Sequence, residues 1–438
     1  MLVDSQDQNI QLSYFSSNSL SHCIHCGLCL SSCPTYSITF NEQSSPRGRI
    51  RLMKAVGEGK LTINKNFIEE MYFCLDCKAC ETICPAGFSY GSNIEHARFV
   101  INNKNFEWGS VRFLQNSSIN WFFKRHSRLK LLSSCIWLFQ KTGMIKIIKC
   151  LSYARLMPKW VKHLMELMPN FSIYFSSDTL NEYIYPSSFK THKVVFLTGC
   201  IMDVAFPNIN IDTVELLKHL NCEVITPKQQ GCCGSLHGHN GDLKTARELA
   251  IKNIDVFSRY EFDYIVVNSA GCSAFMKKYE ALFKQDSEYY KKAIAISKRV
   301  KDLSEFISDF NLDLDYKQQT QVFNNKVITY HDACHLIHAQ RISSQPRKLI
   351  RSISGIDYRE LPEASWCCGS AGIYNIINYD DSMKILKRKI ENIRSVKPDI
   401  IVTGNPGCII QIEHGLRKEN LNIEVLHIAT FLRKAYGI

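Results

Sequence analysis

Two short cysteine runs carry the most legible chemistry in this chain. CIHCGLCLSSCP sets Cys23, Cys26, Cys29 and Cys33 ahead of Pro34, and CLDCKACETICP sets Cys74, Cys77, Cys80 and Cys84 ahead of Pro85. Both follow C-x2-C-x2-C-x3-C-P, a spacing that lets one loop wrap three thiolates around a 4Fe–4S cube while the fourth cysteine reaches the other cube. That rule crosses the ligand sets. Cys23, Cys26, Cys29 and Cys84 are expected to hold one cluster, and Cys74, Cys77, Cys80 and Cys33 the other. Zinc is the competing occupant, but its sites use C-x2-C pairs set far apart rather than four close thiols ending in Cys-Pro.

Eight more cysteines fall in the second half, in two matching sets. Cys200 closes VVFLTGC, GCCG holds Cys232 and Cys233, and Cys272 closes IVVNSAGC. Cys334 closes VITYHDAC, WCCG holds Cys367 and Cys368, and Cys408 closes IIVTGNPGC. Near-identical spacing in two segments of about 115 residues marks an internal duplication. Each set is expected to converge as four ligands of a further iron–sulfur group. The bland alternatives are buried packing cysteines, vicinal disulfides or zinc.

The elements that must position these thiols are readable too. HKVVFLTGC, CEVITP and FDYIVVNSAGC are short β-branched runs, as are KVITYHDAC and DIIVTGNPGC in the second copy, and they predict buried strands. DLKTARELAIKNIDVFSRY is apolar at Leu243, Ala246, Leu249, Ala250 and Ile254, a helical period. Strands alternating with helices predict a parallel sheet whose ligand sites lie beyond the strands' carboxyl ends, where Cys200, Cys272, Cys334 and Cys408 fall. The expected architecture is multidomain, α/β and α+β. It comprises a helical two-cluster ferredoxin-type domain (1–105), a basic helical connector (106–190), and two duplicated α/β cysteine-rich domains with parallel sheets (191–310 and 326–438).

With 438 residues, 45% hydrophobic and 21% charged, the chain has an ordinary globular composition. Nineteen cysteines would suit a disulfide framework only after export. MLVDSQDQNIQLSYF has acidic residues and no basic segment leading into an apolar one, so an unexported chain with reduced thiols is expected. No run of about 18 apolar residues predicts a membrane span. Residues 120–170 hold ten Lys or Arg against one acid, Glu166, with Trp121, Trp137 and Trp160 interleaved. This suits either a face lying on a membrane or partner, or a solvated connector. No nucleic-acid module accompanies it.

Paired ferredoxin runs followed by two CCG domains resemble the iron–sulfur subunit of bacterial glycolate oxidase (glycolate dehydrogenase). The resemblance rests on CIHCGLCLSSCPTYSITFNEQSSPRGRIRLMKAV, CLDCKACETICPAGFSYG, NSAGCSAFMKKY, HDACHLIHAQR and CCGSAGIYN. It implies FAD-containing partner subunits that oxidise glycolate to glyoxylate. It further implies electron delivery to membrane quinone, from a cytoplasmic protein peripheral to the inner face of the membrane. The CCG domain alone is shared with glycerol-3-phosphate dehydrogenase, lactate-utilisation proteins and heterodisulfide reductase. In the last of these a C-x-x-C pair brings a fifth thiolate, where this chain has Ser269 and Asn405, and that departure weakens a disulfide-reducing reading.

No flavin or nicotinamide motif and no catalytic triad is legible, so no catalytic residue is assigned and a catalytic partner is expected. SPRGRIRLM places Arg47, Arg49 and Arg51 between the two runs, either to offset cluster charge or as an exposed helix start, the second being favoured. HDACHLIHAQR offers His331, His335 and His338 as histidine ligands or proton donors, against the more common core or surface histidine. Cys135, Cys150 and Cys222 belong to no set and read as ordinary apolar residues.

Overall fold

A computed structural model describes residue 15 and residues 18–103, 121–143, 158–187, 189–310 and 319–438. Cys150 lies outside them. The N-terminal part is built from helices Pro34–Thr39, Pro46–Gly57, Lys65–Phe73, Ala79–Thr82 and Tyr90–Asn103, packed around the two cysteine loops. Pro34 and Pro46 begin their helices, where a missing N–H costs nothing. Ser45 and Asn64 cap theirs by accepting from the Gly48 and Phe67 amides. Ile50, Met53, Phe67, Met71, Ile94, Ala97 and Ile101 form the small core between them.

Each cysteine-rich repeat contains one sheet. The first runs β1 (Tyr183–Ile184), β3 (Cys222–Ile225), β2 (His192–Leu197), β4 (Tyr264–Val267), β5 (Val300–Asp302). The second runs β7 (Asp357–Tyr358), β6 (Val327–Tyr330), β8 (Ile400–Thr403), β9 (Glu424–His427). Apart from β1, the two orders correspond strand for strand, and all pairings are parallel. β1 adds an antiparallel edge to β3, from a segment expected to be purely helical connector.

Alternation along the strands divides their side chains between two layers. Val195, Leu197, Ile265 and Val267 pack on the helix Leu243–Phe257. Val194, Phe196 and Val266 face the other way and join Ile328, Tyr330, Ile400 and Val402 of the second sheet in one continuous core. The repeats therefore share an interior. Ser269 and Asn405, the matching positions of the two copies, meet there with Oγ and Oδ1 at 3.5 Å.

The N-terminal part docks on the first repeat through backbone acceptors. Arg98 Nη1 donates to the His239 carbonyl at 2.6 Å, and Asn102 Nδ2 to the Asn240 carbonyl at 2.8 Å. Gly241 makes this approach possible. Its φ is +80°, and a Cβ there would sit 2.4 Å from the Arg98 carbonyl carbon. Gly241→Ala should cost at least ~2 kcal/mol, from left-handed strain and from the clash. Limited proteolysis should then release the N-terminal part faster than in the parent chain.

The helices His126–Lys141 and Lys159–Leu167 belong to the basic segment. Leu129 of the first packs with Phe175, Cys200, Val204 and Cys232, so the helix roofs the first thiol set. His126 Nε2 lies 2.6 Å from Asp203 Oδ2, and Asp203 also accepts from the Ser176 and Ser177 hydroxyls. Burial works to raise the Asp203 pKa, but these hydrogen bonds outweigh it and hold the carboxyl below its ordinary value. Lys124 and Lys130 pair with Glu248 and Asp178, at 2.5 and 2.6 Å. These two lysines thus latch the connector to its own chain. Trp121, Leu131, Leu138 and Trp160 remain exposed.

Candidate iron–sulfur centres

The two N-terminal loops fold with the same local geometry. His25 and Gly27 take positive φ in the first, and Asp76 and Lys78 do so at the matching positions of the second. Each left-handed step turns the chain back on itself, so three cysteines separated by two residues face one point. Gly27 meets no side-chain penalty, whereas a left-handed Lys78 costs about 1 kcal/mol. Contacts hold both loops in place. Arg47 Nη1 donates to the His25 carbonyl at 3.2 Å while its Nε bonds Glu42 at 2.7 Å, and Lys78 pairs with Glu95 at 3.4 Å.

Two cavities open beside these loops. The larger is lined by Cys23, Cys26 and Cys29 and by Cys84 from the other run. The smaller is lined by Cys74, Cys77 and Cys80 and by Cys33 from the first run. Cys80 also reaches the wall of the larger cavity. All eight cysteines of the two runs are thus gathered, with one thiol exchanged in each direction.

Donors and charges surround the smaller cavity. The Asp76 amide lies 3.3 Å and the Tyr90 hydroxyl 3.6 Å from Cys74 Sγ. Arg49 and Lys78 form part of the wall. Arg49 is fully buried. Its Nε donates to the Glu70 carbonyl at 2.7 Å and its Nη1 to Thr35 Oγ1 at 3.1 Å. The expectation of an exposed helix start after Pro46 therefore fails for Arg49. The third turn-face of that helix points inward, between the helix and the second cysteine loop.

In the repeats, each set of four thiols forms a string. Neighbouring thiols interact in the order Cys200, Cys232, Cys233, Cys272. The second string runs Cys334, Cys367, Cys368, Cys408 in the same order. Gly234 and Gly369, each with φ +89°, turn the chain immediately after the paired cysteines. Cys200 begins the helix Ile201–Ala205 after β2, and Cys408 lies in the first turn of Pro406–Lys418 after β8.

The donor chemistry suits metal. Burial, reinforced by neighbouring Cys33 and Cys23, pushes the Cys29 thiol up to about 11. Burial, with nearby thiols, also raises Cys77 and Cys80 well above the ordinary thiol value. Cys232 is lowered instead, by its interaction with the Cys200 and Cys233 thiols. Buried thiols of this kind give up protons to a bound cation rather than to water. Thiols gathered this tightly fit iron–sulfur ligation.

The second repeat abuts the smaller cavity. Leu75, Cys77 and Ala79 share an apolar cluster with Trp366, Cys367, Tyr374 and Ile385, and Cys334 packs at its edge. His335 Nε2 donates to the Asp76 carbonyl at 3.0 Å, and His338 accepts from the Thr82 hydroxyl at 2.8 Å. His239 of the first repeat joins this junction, with Nδ1 at 3.0 Å from Asp76 and 2.8 Å from Glu95. Sequence reasoning missed Asp76, Glu95, Lys78 and His239, whose proximity comes only from folding. Asp76 and Lys78 carried a signal, as charges set between ligating cysteines. Cys222 lies in the core, whereas Cys135 is exposed rather than an ordinary packing residue.

Comparison with known proteins matches a 4Fe–4S dicluster domain to residues 19–88 and a cysteine-rich domain, CCG, to residues 194–277 and 328–413. The "Probable glycolate oxidase iron-sulfur subunit" of Bacillus subtilis (strain 168) is 36% identical over 425 residues, covering 95% of this chain and 94% of that one. The "Glycolate oxidase iron-sulfur subunit" of Escherichia coli (strain K12) is 28% identical over 390 residues, 88% of each. "Lactate utilization protein A" of Oceanobacillus iheyensis is 31% identical over 240 residues, 55% of this chain and 96% of that one. No helix among the described residues is long and apolar enough to cross a membrane.

Proposed function

The chain belongs to the family of glycolate oxidase iron–sulfur subunits, and from that membership we propose that it carries electrons from FAD-containing partner subunits oxidising glycolate to glyoxylate toward membrane quinone. Glycolate oxidation releases two electrons and two protons, which reduction of a quinone consumes. Cys23, Cys26, Cys29 and Cys84 would hold one 4Fe–4S cluster, and Cys74, Cys77, Cys80 and Cys33 the second. Cys200, Cys232, Cys233 and Cys272, and likewise Cys334, Cys367, Cys368 and Cys408, would hold further iron–sulfur groups. When bound, these groups supply one-electron transfer between partners that each exchange two.

One observation supports this reading above the others: Cys77, in the wall of the second run's cavity, packs in one apolar cluster with Cys367, and Cys334 lies at its edge. The protein's own residues keep that junction dry and charge-balanced. Trp366, Tyr374, Ile385 and Leu75 exclude water between the two thiol groups. Arg49 and Lys78 place positive charge beside thiols that are anionic once ligated.

The deciding experiment measures iron, acid-labile sulfide and zinc per chain on protein purified without oxygen, then adds substrate to the complex with its flavoprotein. Iron well above about eight per chain, reduced when Cys232 and Cys233 become serine, is expected. Glycolate should bleach the cluster absorbance of the complex. Bleaching by lactate alone would favour the reaction class suggested by the lactate-utilisation relatives, and zinc in place of iron would end the electron-carrier reading.

Peripheral membrane contact is part of the same proposal. Trp121, Leu131, Leu138 and Trp160 are among the apolar residues that the basic connector leaves exposed. Replacing Leu131 and Trp160 with serine should weaken co-sedimentation with anionic vesicles. Unchanged sedimentation would leave these residues without a membrane role.

A further inference from the structure

The two thiol strings are alike, but their surroundings are not. Three residues ahead of the strand-end cysteine, the first copy has Leu197 and the second has His331. Twenty-one residues after the paired cysteines, the first copy has Ile254 and the second Lys389. All four side chains are buried. The apolar pair in the first copy completes its core against the helix Leu243–Phe257. The polar pair in the second has no such packing explanation.

His331 is 1% exposed, and neither ring nitrogen makes a well-formed hydrogen bond, the Ala364 carbonyl being the nearest acceptor to interact with the ring. A buried imidazole left so loses the hydrogen bonds it would make to water, a cost of about 1–3 kcal/mol for each such group. One of its nitrogens, Cys368 Sγ and Cys408 Sγ all lie within 4.8 Å of one another. The neighbouring histidines are already engaged. His335 bonds the Asp76 carbonyl, and His338 bonds Thr82 and the Ser365 carbonyl. In the first copy His237 is also buried with both nitrogens unpartnered, but it forms no comparable three-ligand group with thiols. Asn405, at the position where a fifth thiol would stand, donates its Nδ2 to Cys408 Sγ at 3.6 Å and is not itself a soft ligand.

We propose that His331 is a nitrogen ligand of the iron–sulfur group held by Cys334, Cys367, Cys368 and Cys408, so that the second repeat is a mixed thiolate–imidazole site and the first an all-thiolate one. The inference rests on reading the second thiol string as an iron site. A neutral imidazole adds no negative charge to the four thiolates, so both repeats carry the same ligand charge. Lys389, where the first copy has Ile254, is what separates the two potentials. Its ammonium donates to the Ala364 carbonyl at 3.1 Å and lies close enough to Cys367 and Cys368 to interact electrostatically with both. The second repeat is then the more oxidising of the two.

The test is pulsed electron paramagnetic resonance on the whole chain, stepwise reduced, grown with ordinary or 15N-labelled histidine. A histidine-nitrogen coupling is expected that changes with the label. It should vanish in His331→Leu, which installs the residue found in the first copy, and persist in His237→Ala, His335→Ala and His338→Ala. A wild-type spectrum with no histidine coupling overturns the proposal even if His331→Leu does not fold, and so does a coupling lost in one of the other three variants. Iron content in Cys367→Ser and Cys368→Ser separates the two layers of the argument. Undiminished iron there removes the site and the proposal together, whereas lowered iron with no nitrogen coupling in the wild type removes only His331.

Discussion

Cys33→Ser should empty the cavity beside the second cysteine run and leave the one beside its own run filled. The reason is the exchange of thiols: Cys33 lies in the wall with Cys74, Cys77 and Cys80, and Cys84 lies with Cys23, Cys26 and Cys29. Each single serine variant should lose about four irons and four sulfides per chain. The double variants carry the information. Cys33→Ser combined with Cys77→Ser should lose no more than either alone, because both strip the same site. Cys33→Ser combined with Cys26→Ser should lose about eight. The opposite pattern, with Cys33 and Cys26 failing together, would mean that each run serves only itself.

Arg49→Met should have the largest effect of any change outside the cysteines. Its side chain is fully buried, bonded to the Glu70 carbonyl and Thr35, 3.5 Å from the Glu70 carboxylate and 5.9 Å above the Phe73 ring. Removing one member of a buried pair typically costs about 3–5 kcal/mol, because the other charge is left behind. The same substitution withdraws positive charge from the wall of the smaller cavity. The potential of the group bound there should fall, since the reduced state carries one more negative charge. Arg49→Lys separates these effects. It keeps the charge but not the forked contacts, so the potential should stay near the parent value while thermal stability still drops. A potential unmoved in both variants would reduce Arg49 to a packing residue.

The readings that survived folding were local ones. Cysteines two residues apart can meet only around a common centre, and strand ends are marked by the switch from β-branched runs to glycine. The duplication was legible because it repeats spacing rather than contacts. What stayed hidden was set by three-dimensional neighbours. Arg49 lies in a string of alternate arginines, and only the packing of helix Pro46–Gly57 against Lys65–Phe73 shows which one turns inward. Asp76, His239 and His335 come from three separate parts of the chain. β1 is two residues long, too short for any periodicity. His331 could not be told from His335 and His338 by sequence, because strand alternation decides its direction. Ile328 and Tyr330 face the shared core, which leaves His331 on the side of the thiols.

The contact between Ser269 and Asn405 has an ancestral meaning. A residue touches its own counterpart only across a two-fold axis, as in an isologous dimer. The helices agree: Pro207–His219 packs on Ile428–Tyr436, and its counterpart Ser344–Arg351 packs on Leu303–Asp309. A single-copy forerunner with this apolar face would have paired with its twin, and both halves would have had to remain identical. Fusing them into one polypeptide ended that constraint. Leucine at 197 and histidine at 331 could then coexist in one molecule, giving a symmetric body two unlike ends.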